Sequence, residues 1–124
     1  MRNSCFSNLP ILAVALLLGS CHGSRNKTAT TGGDPGRGAS AISQYGCGSC
    51  HTIPGIVGAH GLVGPSLAGL GSRMYIAGML PNAPGNLVRW VKNPKSINEK
   101  TVMPNLGVTT RDAADIGAYL YSVK

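Results

Sequence analysis

The distribution of apolar and polar positions divides the chain into an apolar N-terminal run, a polar stretch and a longer mixed segment. Residues 9–18 form the run, which is interrupted only by Pro10. Its length is typical of the core of an export signal and falls well short of the roughly 20 residues that a membrane-spanning helix needs. Residues 22–37 show no apolar periodicity, which is typical of a flexible tether. The pattern therefore predicts a signal peptide at 1–20, a tether at 21–37 and a folded domain at 38–124.

Helical patterns mark both ends of the mixed segment. Asp34 followed by Pro35 is a favourable helix start, and a helix is predicted from about Pro35 to Tyr45. Near the other end, Thr109 with Asp112 resembles a capping box. An apolar stripe with helical spacing follows it and predicts a helix that runs to the C-terminus, at Ala113, Ile116, Ala118, Tyr119, Leu120 and Val123.

The signals between these two helices are shorter. Asn86 is predicted to cap a short helix that Pro94 limits, and residues 67–76 predict a further turn. No segment alternates apolar and polar residues for the length of a useful strand. The pattern therefore predicts an all-α fold.

Composition adds that the core of this domain is thin. The chain has 124 residues, which is the size of one small domain. The folded segment holds one Trp and four Tyr, while the single Phe lies in the predicted signal. Domains of this size are marginally stable unless a cofactor, metal or cross-link supports them. A large apolar cofactor would both fill and brace such a core.

The charge is low in total but strongly unbalanced. Lys and Arg number 11 against 4 Asp and Glu, which gives a formal net charge of +7. A basic exported protein is expected to meet an acidic docking face, with an association rate that falls as salt rises. Nucleic acid is excluded as a partner because export removes the chain from it and because the basic residues are scattered along the sequence.

The four cysteines divide between processing and chemistry. Residues 18–21, with the sequence LGSC, resemble a bacterial lipobox, in which the cysteine is lipidated and becomes the new N-terminus. Cys21 is therefore the predicted lipid anchor, on the periplasmic or outer face of a bacterial membrane, and an ordinary secretory signal is the alternative. Cys5 would leave with the signal. Since Cys47 and Cys50 belong to one short motif, no disulfide is predicted.

That motif is CGSCH at residues 47–51. Two thiols three residues apart can reach the two vinyl groups of one porphyrin, and His51 can then bind the iron, so this spacing is typical of c-type haem attachment. A zinc site made by Cys47, Cys50, His51 and His60 is one alternative. A thioredoxin-like redox pair is another, although residues 39–46 do not resemble the strand it requires.

From Gly38 to Val123 the sequence resembles the class I cytochrome c family. Gly38 and Ile42 match the family's N-terminal crossing positions, with Ile42 one residue further from the first cysteine than usual. Ile116 and its neighbours match the C-terminal helix. The resemblance implies an all-α fold in which the two terminal helices cross and loops surround one covalently bound haem c.

Two further segments carry this resemblance. Residues 64–67, GPSL, match the family segment in which the carbonyl of a proline, here Pro65, accepts a hydrogen bond from the axial histidine. Residues 101–107, TVMPNLG, match the loop of the sixth ligand, which makes Met103 the candidate. Met74 and Met79 are its rivals, since methionines also serve as core filler. His60 is expected to be a surface residue.

The match is closer to one subgroup, the cytochrome c domain fused to subunit II of some bacterial haem-copper oxidases. The segments GSR at 71–73, LPNAP at 80–84 and NP at 93–94 carry it. In such domains an arginine and a tryptophan lie near the haem propionates, which makes Arg73 and Trp90 the candidates. Since neither a copper-binding domain nor transmembrane helices are predicted in the sequence, the chain is expected to be a detached relative of that subunit.

Three classes of function follow from these patterns. An electron-transfer cytochrome needs both axial positions filled, a haem enzyme or sensor needs an open sixth position, and a zinc module needs no haem. Met103 favours a non-enzymatic electron carrier. The resemblance implies a membrane-bound terminal oxidase as its partner, with a periplasmic reductase as the alternative.

Overall fold

The computed structural model describes residues 30–124. Its three helices are α1 (Pro35–Gln44), α2 (Pro84–Lys92) and α3 (Thr110–Ser122), and its two short strands are β1 (Tyr75–Ile76) and β2 (Leu80–Pro81). Single 3₁₀ turns lie at Cys47–Ser49, Leu70–Ser72 and Pro94–Ser96. Within this part of the chain, no helix combines the length and the apolar character needed to cross a membrane. The predicted signal peptide, Cys21 and most of the predicted tether lie outside the described residues.

The local capping signals explain where two of the helices begin. Asp34 caps α1, because its side chain accepts a hydrogen bond of 2.8 Å from the backbone N–H of Arg37. Thr109 caps α3 in the same way by accepting from the N–H of Asp112 at 3.1 Å. Each cap satisfies a backbone donor that the first turn of a helix leaves unpaired. Both helix starts were predicted from the sequence.

The predicted cap of α2 was wrong. This helix begins at Pro84 after the extended residue Ala83, and no side chain caps it. Proline at the first helical position needs no N–H partner and already has a helical φ angle. Asn86 therefore lies inside the helix, where its side-chain amide donates a 3.0 Å hydrogen bond to the carbonyl of Pro81.

α1 packs across α3 at a point where the two backbones almost touch. Gly38 is buried, and a Cβ at this position would lie 2.0 Å from the carbonyl oxygen of Asp115. Any larger residue would push the helices apart. Around this crossing the helices contribute buried apolar side chains to one core, notably Ile42, Ala113, Ile116 and Leu120.

The N-terminal boundary of the domain lies earlier than predicted. Asp115 is only 2% exposed, and its carboxylate accepts hydrogen bonds from the Arg37 guanidinium at 2.8 and 2.9 Å and from the N–H of Asp34 at 2.6 Å. Thr31 also donates a hydrogen bond to the carbonyl of Ala114. Because a buried carboxylate needs donors, residues 31–37 belong to the folded domain and not to the tether.

The two strands form a small antiparallel hairpin. Tyr75 pairs with Pro81, and Ile76 pairs with Leu80. The chain turns through Ala77 and Gly78, which have φ angles of 51° and 71°, and the N–H of Met79 closes the turn on the carbonyl of Ile76. Strands of two residues are too short to produce a detectable alternation in the sequence.

Candidate functional site

A deep cleft opens between the helices and the loops. It consists of an inner cavity of about 80 Å³ and an outer one of about 450 Å³. The two cavities adjoin each other and share seven lining residues: His51, Pro65, Arg73, Tyr75, Ala77, Trp90 and Met103. The inner cavity is lined mainly by apolar core residues, among them Ile42, Ile53, Leu87 and Ile116. A mainly apolar lining with a few polar groups is typical of a cofactor site.

The CGSCH segment forms the start of one wall of this cleft. It follows α1 directly as a 3₁₀ turn, which Gly46 makes possible with a φ angle of 71°. Cys47 lines the inner cavity, Cys50 lines the outer cavity, and both thiols are free. Burial raises the pKa of the Cys47 thiol, since it disfavours the charged thiolate. The two sulfurs are thus presented to one cleft from neighbouring positions.

A second segment, residues 59–67, runs beside this motif and holds its backbone. Gly61 donates to the carbonyl of Gly48 at 3.0 Å, Gly64 donates to that of Cys50 at 2.7 Å, and a β-bridge joins Thr52 to His60. This segment lies so close to His51 that position 64 requires glycine. A Cβ at Gly64 would lie 2.3 Å from Cε1 of the His51 ring.

The imidazole of His51 is oriented by one hydrogen bond. Its Nδ1 lies 2.7 Å from the carbonyl oxygen of Pro65. Because a carbonyl can only accept a hydrogen bond, Nδ1 must carry the proton. In the neutral imidazole this leaves Nε2 as the nitrogen that can bind a metal, and His51 lines both cavities of the cleft.

The structure separates the three candidate methionines. Met103 lines both cavities, whereas Met74 and Met79 are 78% and 45% exposed and line neither. Met103 lies in an irregular loop, where its N–H donates a 3.2 Å hydrogen bond to the side-chain oxygen of Thr101. Its thioether therefore shares a cleft with His51 and both cysteines.

The Met103 loop is held by a residue that the sequence did not single out. The ammonium group of Lys95 donates hydrogen bonds to the carbonyls of Glu99, at 3.2 Å, and Thr101. The backbone N–H of Lys95 also donates to the side chain of Asn105 at 3.3 Å. No sequence signal marks this role, because an isolated lysine in a polar stretch is normally a solvated charge.

Arg73 and Trp90 both line the two cavities. The guanidinium of Arg73 has a further contact that the sequence did not indicate. Its Nη2 donates to the carbonyl of Ser66 at 2.6 Å and to that of Ala68 at 2.9 Å. An arginine has five N–H donors, so those on Nε and Nη1 are not used in these two bonds.

Arg73 is in turn held by a small network that reaches α3. Asn82 donates to the backbone carbonyls of Leu70 and Arg73, both at 2.8 Å, and accepts a 2.7 Å hydrogen bond from the Tyr121 hydroxyl. Burial raises the pKa of the Tyr121 phenol, so the hydroxyl stays a donor. These contacts fix the segment that leads from Pro65 to the hairpin.

The donors needed for the zinc alternative are not brought together. His60 is exposed and lines neither cavity. Among residues 30–124, no group of three or more His, Cys, Asp and Glu side chains is placed to hold a metal ion. The described residues instead place a histidine and a methionine on one apolar cleft, which is a donor set suited to haem iron.

Comparison with known proteins gives one informative similarity. The chain is 33% identical over 89 residues to cytochrome c oxidase subunit 2 of Alkalihalophilus pseudofirmus. The aligned region covers 71% of this chain and 25% of that subunit, so the chain spans about a quarter of the length of its relative. No family model matches the chain. No solved structure matches it either.

Proposed function

We propose that this protein is a monohaem c-type cytochrome that carries single electrons. The observation that supports it best is the arrangement of donors around one cleft. Cys47, Cys50, His51 and Met103 all line it, and the hydrogen bond between His51 Nδ1 and Pro65 leaves Nε2 of the neutral ring as the metal-binding nitrogen. This proposal includes the class I cytochrome c fold, which agrees with the crossing of α1 and α3.

The residues of the cleft fit a haem c. Cys47 and Cys50 would hold it through thioether bonds, while His51 and Met103 would be the fifth and sixth ligands. Held by these residues, a haem would supply one-electron chemistry between the ferrous and ferric states of its iron. A methionine ligand favours the reduced state and suits a carrier that works at high potential.

The protein's own residues act by orientation and by exclusion of water. Ile42, Ile53 and Ile116 are at most 2% exposed and give the inner cavity a low dielectric constant. Pro65 fixes the plane and tautomer of His51. Arg73 and Trp90 lie where the cavities meet, so we assign them to the propionate groups, which the unused donors of Arg73 could neutralise.

The partner that we propose is a membrane-bound haem-copper oxidase. This rests on the similarity to a cytochrome c oxidase subunit 2 and on the charge of the chain. Within residues 30–124, no acidic side chain lines the cleft, while Arg73 lines both cavities. An acidic docking face would therefore approach without repulsion, at a rate that falls with ionic strength. A periplasmic reductase is the second candidate.

The proposed location is the outer face of a bacterial membrane, through lipidation of Cys21. This residue lies outside the described part of the chain. The first contact of the described part is made by Thr31 on α3, so only a short segment would separate the domain from the anchor. Cys21→Ser should release a haem-loaded protein into the soluble fraction, whereas fully soluble unmutated protein would contradict the anchor.

The decisive experiment measures covalent haem and its coordination. Denatured protein should stain for haem after electrophoresis, and Cys47→Ser combined with Cys50→Ser should abolish the stain. The visible spectrum of the reduced protein should be that of a low-spin c-type haem. A high-spin spectrum would favour a sensor or an enzyme with an open sixth position, and haem that is lost on denaturation would overturn the proposal.

A further inference from the structure

The two sides of the cleft differ in how the protein holds them. On the side of His51, the backbone of the 59–67 segment bonds directly to that of the motif. On the side of Met103, the chain from residue 99 to 107 is irregular, and Val102 and Leu106 are 80% and 41% exposed. Burial in the core therefore does little to fix this loop in place.

Hydrogen bonds from Lys95 supply part of the missing restraint. Its ammonium group joins the carbonyls of Glu99 and Thr101, and its backbone N–H joins the side chain of Asn105. These three points lie before and after Met103 in the loop. Thr101 in turn restrains Met103, because its side-chain oxygen accepts a hydrogen bond from the N–H of Met103.

We infer that Lys95 is the positioning residue that keeps the Met103 thioether directed into the cleft. This inference rests on the proposed function, in which Met103 is the sixth ligand. Lys95 touches neither cavity itself. Its effect is to close the loop over one side of the cleft and thereby to reduce the population of a form in which Met103 has moved away.

The test must separate this restraint from a simple change of charge. Lys95→Met keeps the apolar stem and removes the three donors of the ammonium group. Lys100→Met is the matched control, since it removes the same charge beside the same loop. Among the described residues, the hydrogen bond of Lys100 is made by its backbone N–H, to Asn98, and not by its ammonium group. Lys95→Arg retains charge and donors and should restore the behaviour at least in part.

Two measurements report the position of Met103. The first is the rate at which carbon monoxide binds the ferrous protein, which depends on the fraction of molecules with an open sixth position. The second is hydrogen exchange at the amide of Met103, which reports loop opening directly. We expect Lys95→Met to raise both by about fivefold, since two hydrogen bonds to a charged donor are lost. Lys100→Met should change neither beyond about twofold, because an exposed charge contributes little.

The outcomes distinguish the inference from the function on which it rests. Equal responses of Lys95→Met and Lys100→Met would overturn the positioning role while Met103→Ala still opened the iron. Rapid carbon monoxide binding by the unmutated protein, equal to that of Met103→Ala, would overturn the proposed sixth ligand and the inference with it. A selective response of Lys95→Met that Lys95→Arg reverses would support both.

Discussion

The histidine side and the methionine side of the cleft are built by different kinds of contact. His51 follows a helix and a tight turn, and a neighbouring segment pairs with it backbone to backbone. Met103 lies in a loop whose restraints come from the side chains of Lys95, Thr101 and Asn105. Hydrogen bonds between backbone groups use no side-chain atoms, whereas the restraints on the loop come from the side chains of particular residues.

The comparison indicates which side should change first when the protein is perturbed. A local opening requires only the contacts of the moving segment to break, so its free energy is lowest where few buried contacts exist. The methionine side meets this condition. Substitutions there should alter coordination in a protein that remains folded, whereas comparable changes on the histidine side should affect coordination and folding together.

Gly64→Ala should have the largest effect, because it acts on the histidine side. The new Cβ would lie 2.3 Å from the His51 ring, so either the ring or the 59–67 segment must move. We expect a loss of about 3 kcal/mol in the free energy of unfolding, as is typical of overpacking. Chemical denaturation would measure the loss, and the visible spectrum would show disturbed coordination.

Gly85→Ala is the matched control for this change. Gly85 lies in the first turn of α2, where an added Cβ would meet nothing within 4 Å. Alanine is the better helix former, so stability should be unchanged or slightly higher. Equal losses in the two variants would show that the contact between Gly64 and His51 has no special weight.

Asp115→Asn should have the next largest effect, at about 2 kcal/mol, since it weakens buried hydrogen bonds to a charged group. Asp115 ties α1, and with it the histidine side, to α3. The hydrogen bonds from Arg37 lower the pKa of this carboxyl, followed by that from the backbone of Asp34. The carboxylate therefore stabilises the fold above its unfolded pKa of about 3.9.

This stabilisation should be lost as the pH falls from about 4 through the lower pKa of the folded state. Unfolding measured between pH 7 and pH 3 should show a steeper decline below pH 4 in the unmutated protein than in Asp115→Asn. Parallel declines in the two proteins would contradict the assignment of this pH dependence to Asp115.

Met103→Ala should cost less in folding, about 1 kcal/mol, because the side chain is only half-buried. Its effect on coordination should be large. Carbon monoxide binding should rise by at least about tenfold once no thioether competes for the iron, and the reduction potential should fall. Met74→Ala and Met79→Ala, on exposed side chains, should leave both quantities unchanged.

How far the sequence predicts this molecule follows the same division. The starts of α1 and α3 and the CGSCH motif were predictable because their signals lie within a few residues of each other. The pairing of Arg37 with Asp115 was not, since the two residues lie 78 positions apart and each resembles a solvated charge. The role of Lys95 was not predictable either, because an isolated lysine resembles a solvated charge.

The misplaced cap of α2 shows a limit of local signals as well. Asn86 is a favourable capping residue, yet Pro84 two positions earlier is an equally good first helical residue, and the helix starts there. The folded domain also begins before residue 38, because Thr31 and Asp34 form hydrogen bonds with Ala114 and Asp115 of α3, which no local pattern indicates. Local patterns predicted the helices, whereas long-range hydrogen bonds decided where the folded domain begins.

The smallest effect is expected from Ala77→Gly, in the turn between β1 and β2. Ala77 lines both cavities and has a φ angle of 51°, which costs about 1 kcal/mol for a residue with a Cβ. Ala77→Gly would remove this strain but would make the unfolded chain more flexible, which offsets part of the gain. We expect a net stabilisation of about 0.5 kcal/mol in chemical denaturation, with the spectrum and carbon monoxide binding unchanged, because neither ligand segment is touched.

Ala77→Val, with a branched side chain in the same conformation, should instead destabilise the protein by more than about 1 kcal/mol. If both variants were as stable as the unmutated protein, the positive φ angle of Ala77 would store no strain.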